Sequence, residues 1–136
     1  MAVPASDRGE SKFELLVKAN ALTVYTLQIT SNTKVFDPVY ANALGNKIQA
    51  AATDIFINCW TANNIRPIPE TNLRERHKLQ RIAVLQCNNL LAMIEIAYKL
   101  YHLEYRRVEH WGALIIEVRN MIRAWSQSDG KRYKSK

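Results

Sequence analysis

Val108-Glu109-His110-Trp111-Gly112-Ala113-Leu114-Ile115-Ile116-Glu117-Val118-Arg119-Asn120-Met121-Ile122-Arg123-Ala124-Trp125 decides the fold. Val108, Trp111, Ile115, Val118, Ile122 and Trp125 recur at alternating spacings of three and four. That period is an apolar seam along one α-helix. Leu114 and Met121 add a second apolar line beside it. A helix that is apolar over so wide a face meets two neighbours, as in a bundle. Beyond the seam the chain becomes polar and basic through Lys131, Arg132, Lys134 and Lys136.

Three further helices are read upstream. Ser11-Lys12-Phe13-Glu14 has the Ser-x-x-Glu spacing of a capping box, which predicts a helix start there. Leu15, Ala19, Leu22, Thr26 and Ile29 then share one face. Asp37-Pro38 opens the second helix, with Asp as cap and Pro at the first helical position. Leu44, Ile48, Ala51, Ile55, Cys59 and Ala62 follow at helical spacing, and Ala50-Ala51-Ala52 lets a neighbour approach closely. The third helix runs from Pro69–Asn72 to about Tyr101, with a stripe of Leu79, Ala83, Cys87, Leu90, Ile94, Ala97 and Tyr101. The fourth starts near Glu104 after a very tight turn and ends near Gln127. No useful run alternates with period two, so no strand is expected. The reading is all-α: a flexible start over residues 1–11, an up-down antiparallel four-helix bundle over 12–127, and a flexible basic tail over 128–136.

A chain of 136 residues fits one domain with its own core. It holds no apolar run long enough for a transmembrane helix and no basic-then-apolar signal pattern at its start. Cys59 and Cys87 read as two small buried thiols in a reducing compartment, which places the protein in the cytoplasm.

Motifs of catalysis do not emerge. His77, His102 and His110 have no metal-ligand spacing, so no metal or cofactor is expected. No phosphate-binding glycine loop and no nucleophile elbow is present. Glu95 is the one acid inside an apolar run; a groove or an ion pair explains it as well as acid–base chemistry does. Trp111 and Trp125 lie on the seam and read as core, whereas Trp60 lies off its helix's stripe and fits a contact between helices or subunits.

Charge carries more. The chain has 19 basic and 12 acidic residues, a net +7. Residues 71–81 hold four cations against one anion, as do residues 126–136, so two short segments carry most of the excess. Arg74, Lys78 and Arg81 occupy i, i+4 and i+7 of one helix, and Arg119 and Arg123 are i, i+4 on the next. Such arrays can follow a phosphate backbone without reading bases. A solvated helix face has the same appearance.

Several stretches together resemble a known family. They are Phe13-Glu14-Leu15-Leu16-Val17-Lys18-Ala19, Val35-Phe36-Asp37-Pro38-Val39-Tyr40, Leu44-Gly45-Asn46-Lys47-Ile48-Gln49-Ala50-Ala51 and Ala62-Asn63 in the first half. Arg76-His77-Lys78-Leu79-Gln80-Arg81-Ile82-Ala83, Leu91-Ala92-Met93-Ile94-Glu95-Ile96-Ala97, Val108-Glu109-His110-Trp111 and Ala124-Trp125-Ser126-Gln127-Ser128-Asp129 follow. Over residues 12–129 the chain resembles the four-helix-bundle family of 23S rRNA intervening-sequence proteins. It looks most like the Avd branch, the accessory variability determinants of diversity-generating retroelements. The resemblance implies a non-enzymatic protein that assembles as a homopentameric barrel. It implies binding to a reverse transcriptase and its template RNA, in support of mutagenic cDNA synthesis and retrohoming. Carried over residue by residue, the basic surface falls on Arg74, Arg76, Lys78 and Arg81, with Arg119 and Arg123 as further candidates. Lys131 and Arg132 of the tail complete the expected nucleic-acid contacts. The chain departs from the family where Asp37-Pro38-Val39 lacks the usual cation, and where Glu104 replaces the usual Ser or Asp cap. A stand-alone oligomeric scaffold of the intervening-sequence type is the alternative.

Overall fold

Four long helices follow one another: α1 (Ala5–Thr30), α2 (Asn46–Asn63), α3 (Glu70–Leu100) and α4 (Tyr105–Arg132). The structure is a computed structural model. It describes residues 5–133, with side-chain surroundings from Glu14 onward, and no strand occurs among the described residues. α1 packs on α2 and α4, and α3 packs on the same two, so each helix touches two neighbours around a shared core.

The seam of α4 is buried throughout, with Trp111, Ile115 and Ile122 fully enclosed. Burying a side chain of that size stabilises the fold by roughly 1.5–3 kcal/mol. α1 contributes Leu15, Ala19, Leu22 and Thr26 to the same core, and α2 contributes Ile48, Ala51, Ala52, Ile55, Cys59 and Ala62. Thr23 of α1 reaches the backbone carbonyl of Ala52 on α2 at 2.9 Å. That approach depends on the small alanine. The core is fastened across its middle by Trp111 Nε1, which donates to Thr26 Oγ1 at 3.0 Å.

The helix ends differ from the sequence expectation in instructive ways. α1 begins at Ala5, six residues before the Ser11 box, so residues 5–11 of the expected flexible start are helical, and residues 1–4 lie outside the described residues. Asp37 caps as expected, its carboxylate accepting from the Val39 N–H at 3.0 Å. It caps a 3₁₀ turn (Pro38–Tyr40), which leads through a π turn (Ala41–Gly45) into α2. The tight turn before α4 forms where expected. His102 adopts the left-handed conformation with φ 55°, and the Leu103 N–H returns to the Tyr98 carbonyl at 3.1 Å. This is a Schellman closure with histidine where glycine is usual.

The basic tail is the larger correction. α4 continues past Gln127 to Arg132, and Asp129 is fully buried. Only Lys134, Ser135 and Lys136 of the expected tail lie outside the described residues. Two causes extend the helix. Asp129 falls four residues after Trp125 and so continues the seam. Lys131 and Arg132 also place positive charge at the helix's negative end.

Candidate functional site

The seam of α3 runs through Leu73, Arg76, Gln80, Ala83, Cys87, Leu90, Ile94, Ala97 and Tyr101, again alternating three and four. Two of its early positions, Arg76 and Gln80, are therefore polar, and Gln80 is buried where the expected stripe began at Leu79, which is half-buried. Arg76 is 2 % exposed. Its Nε and a terminal nitrogen donate to the two carboxylate oxygens of Asp129 at 2.7 and 3.0 Å. The other terminal nitrogen donates to the Ile65 carbonyl at 3.0 Å, and the guanidinium lies 5.1 Å from the Trp125 ring centroid. Gln80 Nε2 donates to Asp129 at 2.8 Å. Arg76 is thus an interior clamp joining α3, α4 and the α2–α3 link. It is not a surface contact for nucleic acid, which corrects its place among the expected binding residues. The reason is rotational: Arg76 follows Arg74 by two residues, roughly 200° around the helix.

The remaining cations lie where a ligand could reach them. Arg74, Lys78 and Arg81 are exposed on α3, Arg123 is exposed on α4, and Lys131 and Arg132 are exposed on the last turn of α4. Arg119 is half-buried, with one terminal nitrogen donating to Asn88 Oδ1 at 2.9 Å. Its Nε and Trp125 Nε1 are buried without a hydrogen-bond partner among the described residues. Arg66, in the α2–α3 link beside Ile65, is exposed at the same end and escaped sequence notice.

A groove of about 760 Å³ runs between α3 and α4. Arg81 and Arg123 face it from opposite helices, above a wall of Val84 and Leu85. His77, Gln80, Ser126 and Gly130 close one end. Its charged lining is cationic only. By contrast, a second groove of about 430 Å³ between α2 and α3 is lined by one cation, Lys47, and one anion, Asp54. Of these two grooves, the one between α3 and α4 has the lining better matched to an anion. Sequence reading placed Arg81 and Arg123 in separate helical arrays; the structure brings them together and adds His77, Ser126 and Gly130.

Other sequence candidates carry less chemistry. Glu95 is exposed on α3. No cluster of three or more metal-ligating side chains occurs among the described residues, and no helix there is long and apolar enough to cross a membrane. Cys59 and Cys87 are free and fully buried, and burial pushes both thiols up to about 12. They are poor nucleophiles at neutral pH. Trp60 is 53 % exposed and stacks only on Phe56, 5.8 Å away between centroids. No family model, no curated protein and no solved structure matches the chain.

Proposed function

We propose that this protein is a non-enzymatic nucleic-acid-binding accessory of a diversity-generating retroelement. In this reading it binds the element's reverse transcriptase and template RNA and supports mutagenic cDNA synthesis and retrohoming in the cytoplasm. The retroelement assignment rests on the resemblance to Avd proteins. The observation that carries nucleic-acid binding is the concentration of exposed cations at one end of the α3–α4 pair. There Arg74, Lys78, Arg81, Arg123, Lys131 and Arg132 outnumber the exposed acids Glu70 and Glu75. Charge so unbalanced attracts polyanions and holds them through phosphate contacts.

The bundle is proposed to be antiparallel and up-down. Contacts support this for one pair: Arg76 meets Asp129 while Asn88, further along α3, meets Arg119, earlier on α4. Assembly into a homopentameric barrel is likewise proposed from the resemblance, and the chain has apolar surface to offer. Val17, Val24 and Leu27 are exposed on α1, as are Ile57 and Trp60 on α2. The same surface favours the alternative, an oligomeric scaffold of the 23S intervening-sequence type.

Binding of structured RNA measured across a salt series tests the proposal. Phosphate-driven affinity should fall steeply as salt rises. The pair Arg81→Glu and Arg123→Glu should abolish binding while far-UV circular dichroism stays unchanged. A protein that binds neither RNA nor the polymerase at low salt would refute the accessory role and leave the scaffold.

A further inference from the structure

The buried clamp fixes the chemistry of the groove above it. Asp129 accepts from Arg76 and from the Gln80 amide nitrogen. With its nitrogen committed there, Gln80 turns Oε1 toward His77 Nδ1, 2.8 Å away. A carbonyl oxygen only accepts, so Nδ1 carries the proton. Ser126 Oγ lies 3.1 Å from the same nitrogen. In the neutral ring that tautomer leaves Nε2 as the acceptor. This assignment follows from the direction of the hydrogen bonds. Nε2 has no hydrogen-bond partner among the described residues and is not sealed from solvent.

Gly130 borders that nitrogen. A Cβ at Gly130 would stand 3.9 Å from His77 Nε2, at the groove wall that both residues form. A glycine inside a helix weakens it relative to alanine. Here it leaves room beside an acceptor that is otherwise unused. His77 and Arg81 are i, i+4 on α3, about 6 Å apart at their Cβ atoms, which is the scale of one nucleotide.

We infer that the α3–α4 groove takes a ribonucleotide unit, with Arg81 and Arg123 on the phosphate and His77 Nε2 accepting a hydrogen bond from the ribose 2′-hydroxyl. The 2′-hydroxyl is the donor that distinguishes RNA from DNA at a given site. The inference rests on the proposed RNA binding and adds to it a means of choosing the sugar.

Fluorescence anisotropy with three short single-stranded oligonucleotides of one sequence tests this. One is RNA, one carries 2′-fluoro sugars, and one is DNA. The 2′-fluoro strand keeps the RNA-like sugar pucker and cannot donate. The wild-type protein should bind RNA about three- to tenfold tighter than the 2′-fluoro strand, the size of one net hydrogen bond. Gly130→Ala crowds Nε2 with a methyl group and should reduce that ratio without lowering the thermal midpoint, since alanine favours the helix. His77→Phe removes the acceptor and should bring the ratio close to one. Equal binding of RNA and 2′-fluoro strands by the wild type would overturn the inference and leave RNA binding standing. So would a His77→Phe protein that keeps the full ratio. Failure of all three strands to bind at low salt would remove the RNA-binding reading itself.

Discussion

Asp129→Ala removes the carboxylate at the centre of the buried clamp. Arg76 is 2 % exposed and Asp129 is fully enclosed, with charge-assisted bonds of 2.7 and 3.0 Å between them. Taking two charges out of water is costly, and here the mutual bonds offset the cost. Without Asp129 the guanidinium keeps only the Ile65 carbonyl at 3.0 Å and the Trp125 ring, and Gln80 loses an acceptor at 2.8 Å. An uncompensated buried charge costs about 3–5 kcal/mol. A domain has only about 5–15 kcal/mol to lose. The midpoint of thermal unfolding should therefore drop by roughly 10–20 °C. Urea unfolding followed by far-UV circular dichroism measures the loss directly. The double variant Arg76→Met with Asp129→Leu should recover part of it, because an apolar pair carries no buried charge, while Gln80 still lacks its acceptor. A loss below about 1 kcal/mol in Asp129→Ala is the range of a solvated surface pair, and would refute the interior role. The same logic warns against Arg76 as a nucleic-acid-binding mutant: Arg76→Glu sets two carboxylates face to face in the interior and should fail through folding.

His102 holds φ 55° at the end of α3, where glycine carries no Cβ penalty, so His102→Gly should raise stability by about 1 kcal/mol; a lower thermal midpoint would contradict this. The two core tryptophans should part company. Trp111→Phe strands Thr26 Oγ1, whereas Trp125→Phe removes an N–H that has no partner, so urea titrations should show Trp111→Phe costing about 1 kcal/mol more. The thiols of Cys59 and Cys87 are raised by burial from 9.0 to about 12. Between those values the unfolded chain gives up protons that the folded one keeps, so this contribution is present below pH 9 and lost as pH climbs toward 12. The loss is of order a few kcal/mol per thiol, and a Cys59→Ala, Cys87→Ala protein should show a shallower alkaline decline in chemical-denaturation stability.

The α4 seam was legible because its period is carried by large apolar residues from Val108 to Trp125. The clamp was not, because hydrophobic pattern reading stops where apolar residues stop. Yet the phase continues: Asp129 is four residues past Trp125, and Arg76 and Gln80 fall between Leu73 and Ala83 at the same three–four alternation. Polar residues on the core side of a long helix are costly unless they find each other. An arginine on one seam and an aspartate on the next are the signal sequence offers for this pair. The family resemblance hid it, since it places Arg76 on the basic surface with Arg74 and Lys78, although helical spacing turns Arg76 to another face. The α3–α4 groove was illegible for a different reason. Arg81 and Arg123 lie far apart in sequence, and only the pairing of two helices brings them to one cavity.

That redistribution limits what the surface can do. Of the eight cations first assigned to nucleic acid, Arg76 is spent inside and Arg119 is half-buried against Asn88. Arg74, Lys78, Arg81, Arg123, Lys131 and Arg132 remain exposed, so one protomer can neutralise at most about six phosphates through them. For a single strand the logarithm of affinity against the logarithm of salt then falls with a slope no steeper than about −4 per protomer. A steeper slope would require further cations, with Arg66 of the α2–α3 link, exposed at the same end, as the nearest reserve. A slope near −1 to −2 would confine the contact to the groove, where Arg81 and Arg123 stand alone. The salt series thus tells a backbone-tracking surface from a pocket for one nucleotide, a distinction that net charge cannot make because Arg76 and Asp129 cancel within it.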